Sequence, residues 1–224
     1  MNKMLRAALD YRGKYGFSVI PIKKNKKPYI PWEEFQKRRA DSAEIKQWWD
    51  KWPSANVGIV TGKVSNICAL DIDETEGFEA IQGYIPETLI IPTCKTPGGG
   101  QHLYFQFPDK PLGNNARVIP GCDFRGEGGY VIAPPSIGSN GQGYEWLADL
   151  SLVDITPPPL PGQYVSYIKN AFSLGGREKT ADHRRPHKTT TNHMKIPEGR
   201  RDETLFHIAN SLIKGRMPIE EVQQ

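Results

Sequence analysis

Cysteine is scarce: Cys68, Cys94 and Cys122 are the only three in a chain of 224 residues. They are too few and too scattered for a disulfide framework, and none forms a CxxC pair, so neither a stapled mini-domain nor a structural zinc is expected. Long apolar runs are missing as well. Stretches such as Ile67 to Leu70 fall far short of the roughly 20 residues that span a bilayer, and the N-terminus has no signal-peptide core. These absences predict a soluble, cytoplasmic protein with no membrane partner. No internal repeat is visible. At 38% hydrophobic and 24% charged positions, the chain can close one real core and a small appendage.

The net charge of +4 is unevenly spread. Residues Arg177 to Arg201 hold eight Lys/Arg against three Asp/Glu, a local excess of +5, so the other 199 residues sum to −1. A second basic cluster, Lys23, Lys24, Lys26 and Lys27, is followed by Lys37, Arg38 and Arg39. Such patches suit a polyanion, although many charge runs are only solvated faces.

The hydrophobic pattern predicts an α+β chain. Met4, Leu5, Ala8 and Leu9 repeat at helical spacing up to Gly16, and Phe17 to Ile22 reads as a strand closed by Pro21. Asp41 to Trp52 is a helix with a capping box from Asp41 and Glu44, an apolar stripe containing Trp48, Trp49 and Trp52, and a stop at Pro53. Strands are expected at Val57–Val60 and Ile67–Asp73, joined across Thr61-Gly62, with a helix from Thr75 to Ile81 ended by Gly83. Further strands are expected at Leu89–Ile91, His102–Phe107 and Tyr130–Ala133, then a helix at Tyr164–Phe172. Leu174 to Lys195 is polar and basic, as a mobile linker would be. From Asp202 to Ile213 a helical stripe returns, and the chain ends within what reads as the start of a small helical unit, truncated or completed elsewhere. The expected organisation is 1–173 as one domain, 174–195 as linker and 196–224 as the start of an accessory domain.

Three segments carry candidate chemistry. In Ile67-Cys-Ala-Leu-Asp71-Ile-Asp73 the period of a strand puts both carboxylates on one face. Adjacent carboxylates repel unless a cation lies between them, and hard oxygen ligands suit Mg²⁺ or Mn²⁺; the plainer alternative is a strand running into an acidic turn. In Thr96-Pro-Gly-Gly99-Gly100-Gln101-His102-Leu-Tyr-Phe105 a glycine loop leads into a strand with His102 on its polar face. The loop could cradle phosphate, and His102 could donate to it or be a structural histidine. In Cys122-Asp123-Phe-Arg125 the same alternation adds a third carboxylate beside a guanidinium.

The ordered set hhDhD, a small-residue loop with xH, and hDhR followed by Gly-Gly-Tyr-Val-Ile-Ala-Pro-Pro-Ser resembles the three motifs of the archaeo-eukaryotic primase superfamily. It is most similar to the bifunctional primase-polymerase (Prim-Pol) branch, over roughly Leu5 to Leu150. Lys27-Pro28…Trp32, the Trp-rich helix and Asn56-Val-Gly-Ile-Val-Thr-Gly62 share in the resemblance, and Ile196 to Leu205 is similar to the start of the helical domain that follows many such catalytic domains. Asp73 stands where many relatives have Glu, which shortens the ligand and keeps its charge.

The resemblance implies an RRM-like β-sheet core with an N-terminal α/β unit, and a metal-dependent DNA primase and DNA polymerase. On that basis Asp71, Asp73 and Asp123 would hold two Mg²⁺ or Mn²⁺ ions as catalytic and metal-binding residues. His102, Gly99, Gly100, Gln101 and Arg125 would bind the nucleotide, with Lys95, Ser136 and Tyr130 as weaker nucleotide contacts. Lys23, Lys24, Lys26 and Lys27 would track DNA. The implied partners are a single-stranded DNA template and primer and dNTPs or NTPs, with a helicase or CRISPR adaptation proteins as further candidates. Two rivals remain at this point. Asp71-Ile-Asp73-Glu-Thr75 also fits the DxDxT motif of haloacid-dehalogenase-like phosphatases, which expects a doubly wound parallel sheet. A non-catalytic DNA-binding module of a replication protein is the other.

Overall fold

The computed structural model describes residues 2–175, apart from 74, 83, 84, 87 and 120. Helix α1 (Lys3–Gly13) starts where the Asn2 side chain accepts the Met4 N–H at 2.8 Å. It delivers the chain to β1 (Ser18–Ile22), which runs through Pro21 instead of stopping there. Proline is tolerated because β1 is the edge strand of its sheet, beside β2 (Asn56–Val60), and an edge position needs no donor on its outer side, where the Pro21 carbonyl accepts the Tyr29 N–H. After a short 3₁₀ turn, α2 (Ser42–Lys51) carries the expected capping box: Asp41 Oδ1 accepts from the Ala43 and Glu44 N–H groups, and Glu44 reaches back to the Asp41 N–H. Trp49 is the buried member of its tryptophan stripe, its indole N–H satisfied by the Ala55 carbonyl, whereas Trp48 and Trp52 are partly exposed.

β2 also pairs with β8 (Tyr130–Ala133), giving a three-stranded antiparallel sheet. The connection after β2 is not a hairpin. The chain turns at Gly62, in the left-handed region with φ of 98° and packed against Glu127, and passes into a second sheet. That sheet contains β3 (Ile67–Ile72), β4 (Thr93–Lys95), β5 (Gln101–Gln106), β6 (Asn115–Ile119), β7 (Cys122–Arg125) and β9 (Glu145–Trp146), in the order β6-β7-β3-β5-β4-β9. All its named pairings are antiparallel. A doubly wound parallel sheet is therefore excluded, and the phosphatase reading with it.

Leu89–Ile91 is not a strand. The Leu89 N–H turns back to the Pro86 carbonyl and Pro92 has no N–H to give a ladder, so pairing begins at Thr93, the first residue beyond the proline. Strands β6 and β9 were not anticipated from the sequence.

The large sheet buries both faces. Ala69, Cys94 and Tyr104 join the core formed by α1, α2 and the small sheet. Leu70, Ile72, Leu103, Phe105 and Phe124 form a second core with Ile81 of α3 (Thr75–Gln82) and Tyr164 and Ile168 of α4 (Gly162–Gly175). At about 25 cal/mol per Å² of apolar surface, each fully buried large aliphatic or aromatic side chain in these layers contributes roughly 1.5–3 kcal/mol. This is a mixed α+β fold of two antiparallel sheets with few helices. Gly83, all of the expected linker beyond Gly175, and the expected accessory unit at 196–224 lie outside the described residues. Among the described residues, no helix is long and apolar enough to cross a membrane.

Candidate active site

Strand register assembles the site. β3 is central, and Asp71 lies directly opposite His102 of β5 on one side and Asp123 of β7 on the other. Cross-strand partners share a face, so Asp123, Asp71 and His102 form a row across three strands, with Arg125 two residues along β7 on that same face. His102 Nε2 lies 3.1 Å from Asp71 Oδ1. Arg125 Nη2 donates to Asp71 Oδ2 and to Asp123 Oδ2, each at 2.8 Å, and its Nε adds a bond to Asp71 Oδ2 at 3.2 Å.

These groups are shielded from water: side-chain exposure is 6% for His102, 14% for Asp71 and 26% for Arg125. Burial by itself would raise the Asp71 pKa, but His102 and Arg125 outweigh it and hold the carboxyl well below the usual range. Burial works against the Arg125 charge, and the bonds to Asp71 with the nearby carboxylates overcome that and raise its pKa. Asp73 is shifted the other way. Burial and then the charge of Asp71 raise it, with Lys26 and His102 acting in opposition.

A cavity of about 160 Å³ opens on this row. Asp71, Asp73, His102, Arg125, Tyr130 and Lys26 line it, so six of the residues singled out by sequence converge here. Asp123 stands one strand over, tied in by Arg125. The half-buried Tyr130 packs edge-on to Trp32 and donates its hydroxyl to the Lys26 carbonyl at 2.9 Å. Lys24 and Lys27 are exposed beside Lys26, and Lys23 packs over the Tyr29 ring.

Other candidates are placed differently. Lys95 is the register partner of Gln101, and both alternate onto the face of β5 opposite His102. Gln101 Oε1 is buried there, with no hydrogen-bond partner among the described residues. The glycine loop closes on itself: the Gly99 N–H donates to the Thr96 carbonyl and the Thr96 N–H to the Gly100 carbonyl, which leaves Gly99 no free donor. Gly100 serves close approach, since a Cβ there would collide with the Ile72 carbonyl. Ser136 is fully buried and accepts the Val57 N–H, a structural tie between β2 and the segment after β8. His102 commits Nε2 to a carboxylate; its Nδ1 is buried without a partner among the described residues.

Thr96, Val131, Ile132 and Tyr144 line the cavity without having been singled out for it. Thr96 opens the glycine segment and was in view. Tyr144 carried no local signal, because only the tertiary fold brings its ring to 5.9 Å from that of His102. Burial and the charge of Asp71 raise the Tyr144 pKa, which keeps it a neutral phenol.

Among the described residues no three His, Cys, Asp or Glu side chains are gathered as a ready metal centre. The donor set nevertheless fits a hard divalent cation: Asp71, Asp73 and Asp123 offer only carboxylate oxygens, and Asp73 is disfavoured as an anion by its neighbour. Arg125 holds one oxygen of Asp71 and one of Asp123.

Residues 8–163 match the family model described as bifunctional DNA primase/polymerase, N-terminal (Prim-Pol). The match spans well over half of the chain, and the chain belongs to that family. It is a nucleotidyltransferase of the DNA primase/polymerase class, and the family is generally metal-dependent. No curated protein matches the chain.

Proposed function

We propose that this Prim-Pol chain extends a DNA strand along a single-stranded template by two-metal nucleotidyl transfer, and that it also begins strands without a primer. The observation that carries the reading is the buried row Asp123–Asp71–His102, with Arg125 bridging its carboxylates and Asp73 and Lys26 facing the same cavity.

Asp71, Asp73 and Asp123 are the residues that would hold Mg²⁺ or Mn²⁺. Two such ions, when bound, lower the pKa of an attacking 3′-hydroxyl and neutralise charge on the triphosphate. That hydroxyl oxygen bonds to the α-phosphorus of a dNTP or NTP, its proton is lost, and the bond to the departing pyrophosphate breaks. His102 orients Asp71 by fixing one of its oxygens. Arg125 and Lys26 supply the fixed positive charge that growing negative charge on the phosphates requires. Tyr130 and Tyr144 form apolar walls with one hydroxyl each, suited to the nucleoside. In the fold we read the large sheet with α3 and α4 as the RRM-like core, and α1, β1, α2 and β2 as the N-terminal α/β unit.

Product identity tests the reading. Incubation with template, labelled nucleotides and Mn²⁺ or Mg²⁺ gives pyrophosphate and a lengthened strand when a primer is annealed, and new short strands when none is supplied. Incorporation with an annealed primer and none without it would retain the polymerase and remove the priming half.

A further inference from the structure

The pocket is not the only place where charge converges. Lys37, Arg38 and Arg39, which the catalytic reading leaves unused, meet Arg12 and Lys63 around an open cleft of about 630 Å³. They come from three segments far apart in the chain: α1, the stretch after the 3₁₀ turn, and the turn between β2 and β3. Glu127 forms one edge of the cleft and lies between Arg125 and Tyr130 of the catalytic cavity, so the Gly126–Gly129 turn separates the two.

The cations of this cleft are not spent on neighbouring acids. Arg38 alone is neutralised, held by Glu44 at 2.7 Å and Glu34 at 2.8 Å. Among the described residues, Arg12, Lys37, Arg39 and Lys63 are in no ion pair. Both arginines are instead anchored by neutral carbonyls, Arg12 Nε donating to Ala40 O and Arg39 Nε to Val64 O, each at 2.8 Å. A carbonyl fixes a guanidinium without cancelling its charge, which leaves a preorganised cationic wall. Four mutually repelling cations face one carboxylate, and Glu127 is itself tied to the Lys63 N–H. An anion relieves that repulsion. Among the described residues no aromatic side chain lines the cleft, so their contribution is phosphate contact and not base stacking.

We propose that this cleft carries the phosphodiester backbone of the single-stranded template, independently of sequence. The choice of occupant rests on the polymerase reading, in which uncopied template must lie beside the pocket; the cleft's affinity for phosphates rests on its own residues.

The test is fluorescence anisotropy of a labelled single-stranded oligonucleotide with the full chain in EDTA, repeated across a salt series. The pair Lys37→Glu and Lys63→Glu, both exposed side chains, is compared with the wild type, with thermal unfolding as the check on folding. Affinity is expected to fall at least about tenfold, and the log–log salt slope to shrink by about 1.4, because each lost single-strand phosphate contact removes roughly 0.7. Unchanged affinity and slope would overturn the proposal, as would a loss seen with duplex alone. If the reversed charges prevent folding, Lys37→Gln with Lys63→Gln is read in the same way. A chain that loses strand binding through these changes, yet incorporates no nucleotide as wild type, keeps the cleft and sinks the polymerase. Incorporation by wild type with unaltered strand binding in the variant does the reverse.

Discussion

Asp71 and Asp123 face each other across β3 and β7 and share a single nitrogen, Arg125 Nη2, at 2.8 Å from each carboxylate. The arrangement offsets two buried like charges with one cation, and it makes Arg125 the competitor of any divalent ion that uses those oxygens.

Arg125→Gln therefore separates metal binding from catalysis. The variant is expected to bind Mn²⁺ more tightly than the wild type by electron paramagnetic resonance titration, and to incorporate nucleotide about 10²- to 10³-fold more slowly, the scale of losing one preorganised charge-stabilising donor. Weaker Mn²⁺ binding would show that Arg125 supports the ion instead of competing with it.

Acid stability follows from the same cluster. The Asp71 pKa is depressed in the folded state, so its contribution is fully present above the unfolded value of about 3.9 and is lost as pH falls through the folded value. Arg125→Gln removes one cause of the depression. In EDTA, thermal midpoints measured from about pH 5 down to pH 2 should fall less steeply for the variant than for the wild type.

Gly100 holds β5 against the end of β3. Gly100→Ala is expected to cost about 1–3 kcal/mol in denaturant unfolding, the usual penalty for forcing a methyl into a packed site, here against the Ile72 carbonyl. A glycine needed for phosphate contact alone would leave stability unchanged.

The thiols should be inert in the native protein. All three are buried, and burial pushes Cys122 up to about 12 and Cys68 and Cys94 higher still. A colourimetric disulfide reagent should titrate no thiol in native protein and all three in guanidinium; native-state reaction would contradict the burial.

Much of the site was legible because strands alternate. The spacing of Asp71, His102, Asp123 and Arg125 within their segments fixes which face each occupies, and the antiparallel register then brings those faces together. The same rule places Gln101 and its register partner Lys95 on the face opposite His102, but only once pairing is known. Tyr144 and the cleft at Arg12, Arg39 and Lys63 were out of reach, since they depend on tertiary convergence of distant segments. The strands at Asn115–Ile119 and Glu145–Trp146 were missed for a related reason: β6 has an irregular register and β9 is two residues long, so neither shows a run of alternation. At Leu89–Ile91 an apolar run suggested a strand that the flanking prolines prevent.

The most direct measurement is primer extension with labelled nucleotides and Mn²⁺ or Mg²⁺, comparing the wild type with Asp71→Asn paired with Asp123→Asn, which keeps the shapes and removes both charges. Wild-type extension with pyrophosphate release, reduced at least about 10²-fold in a folded variant, is the predicted result. Equal activity in the two proteins, or strand binding by the wild type without incorporation under either metal, would contradict the account.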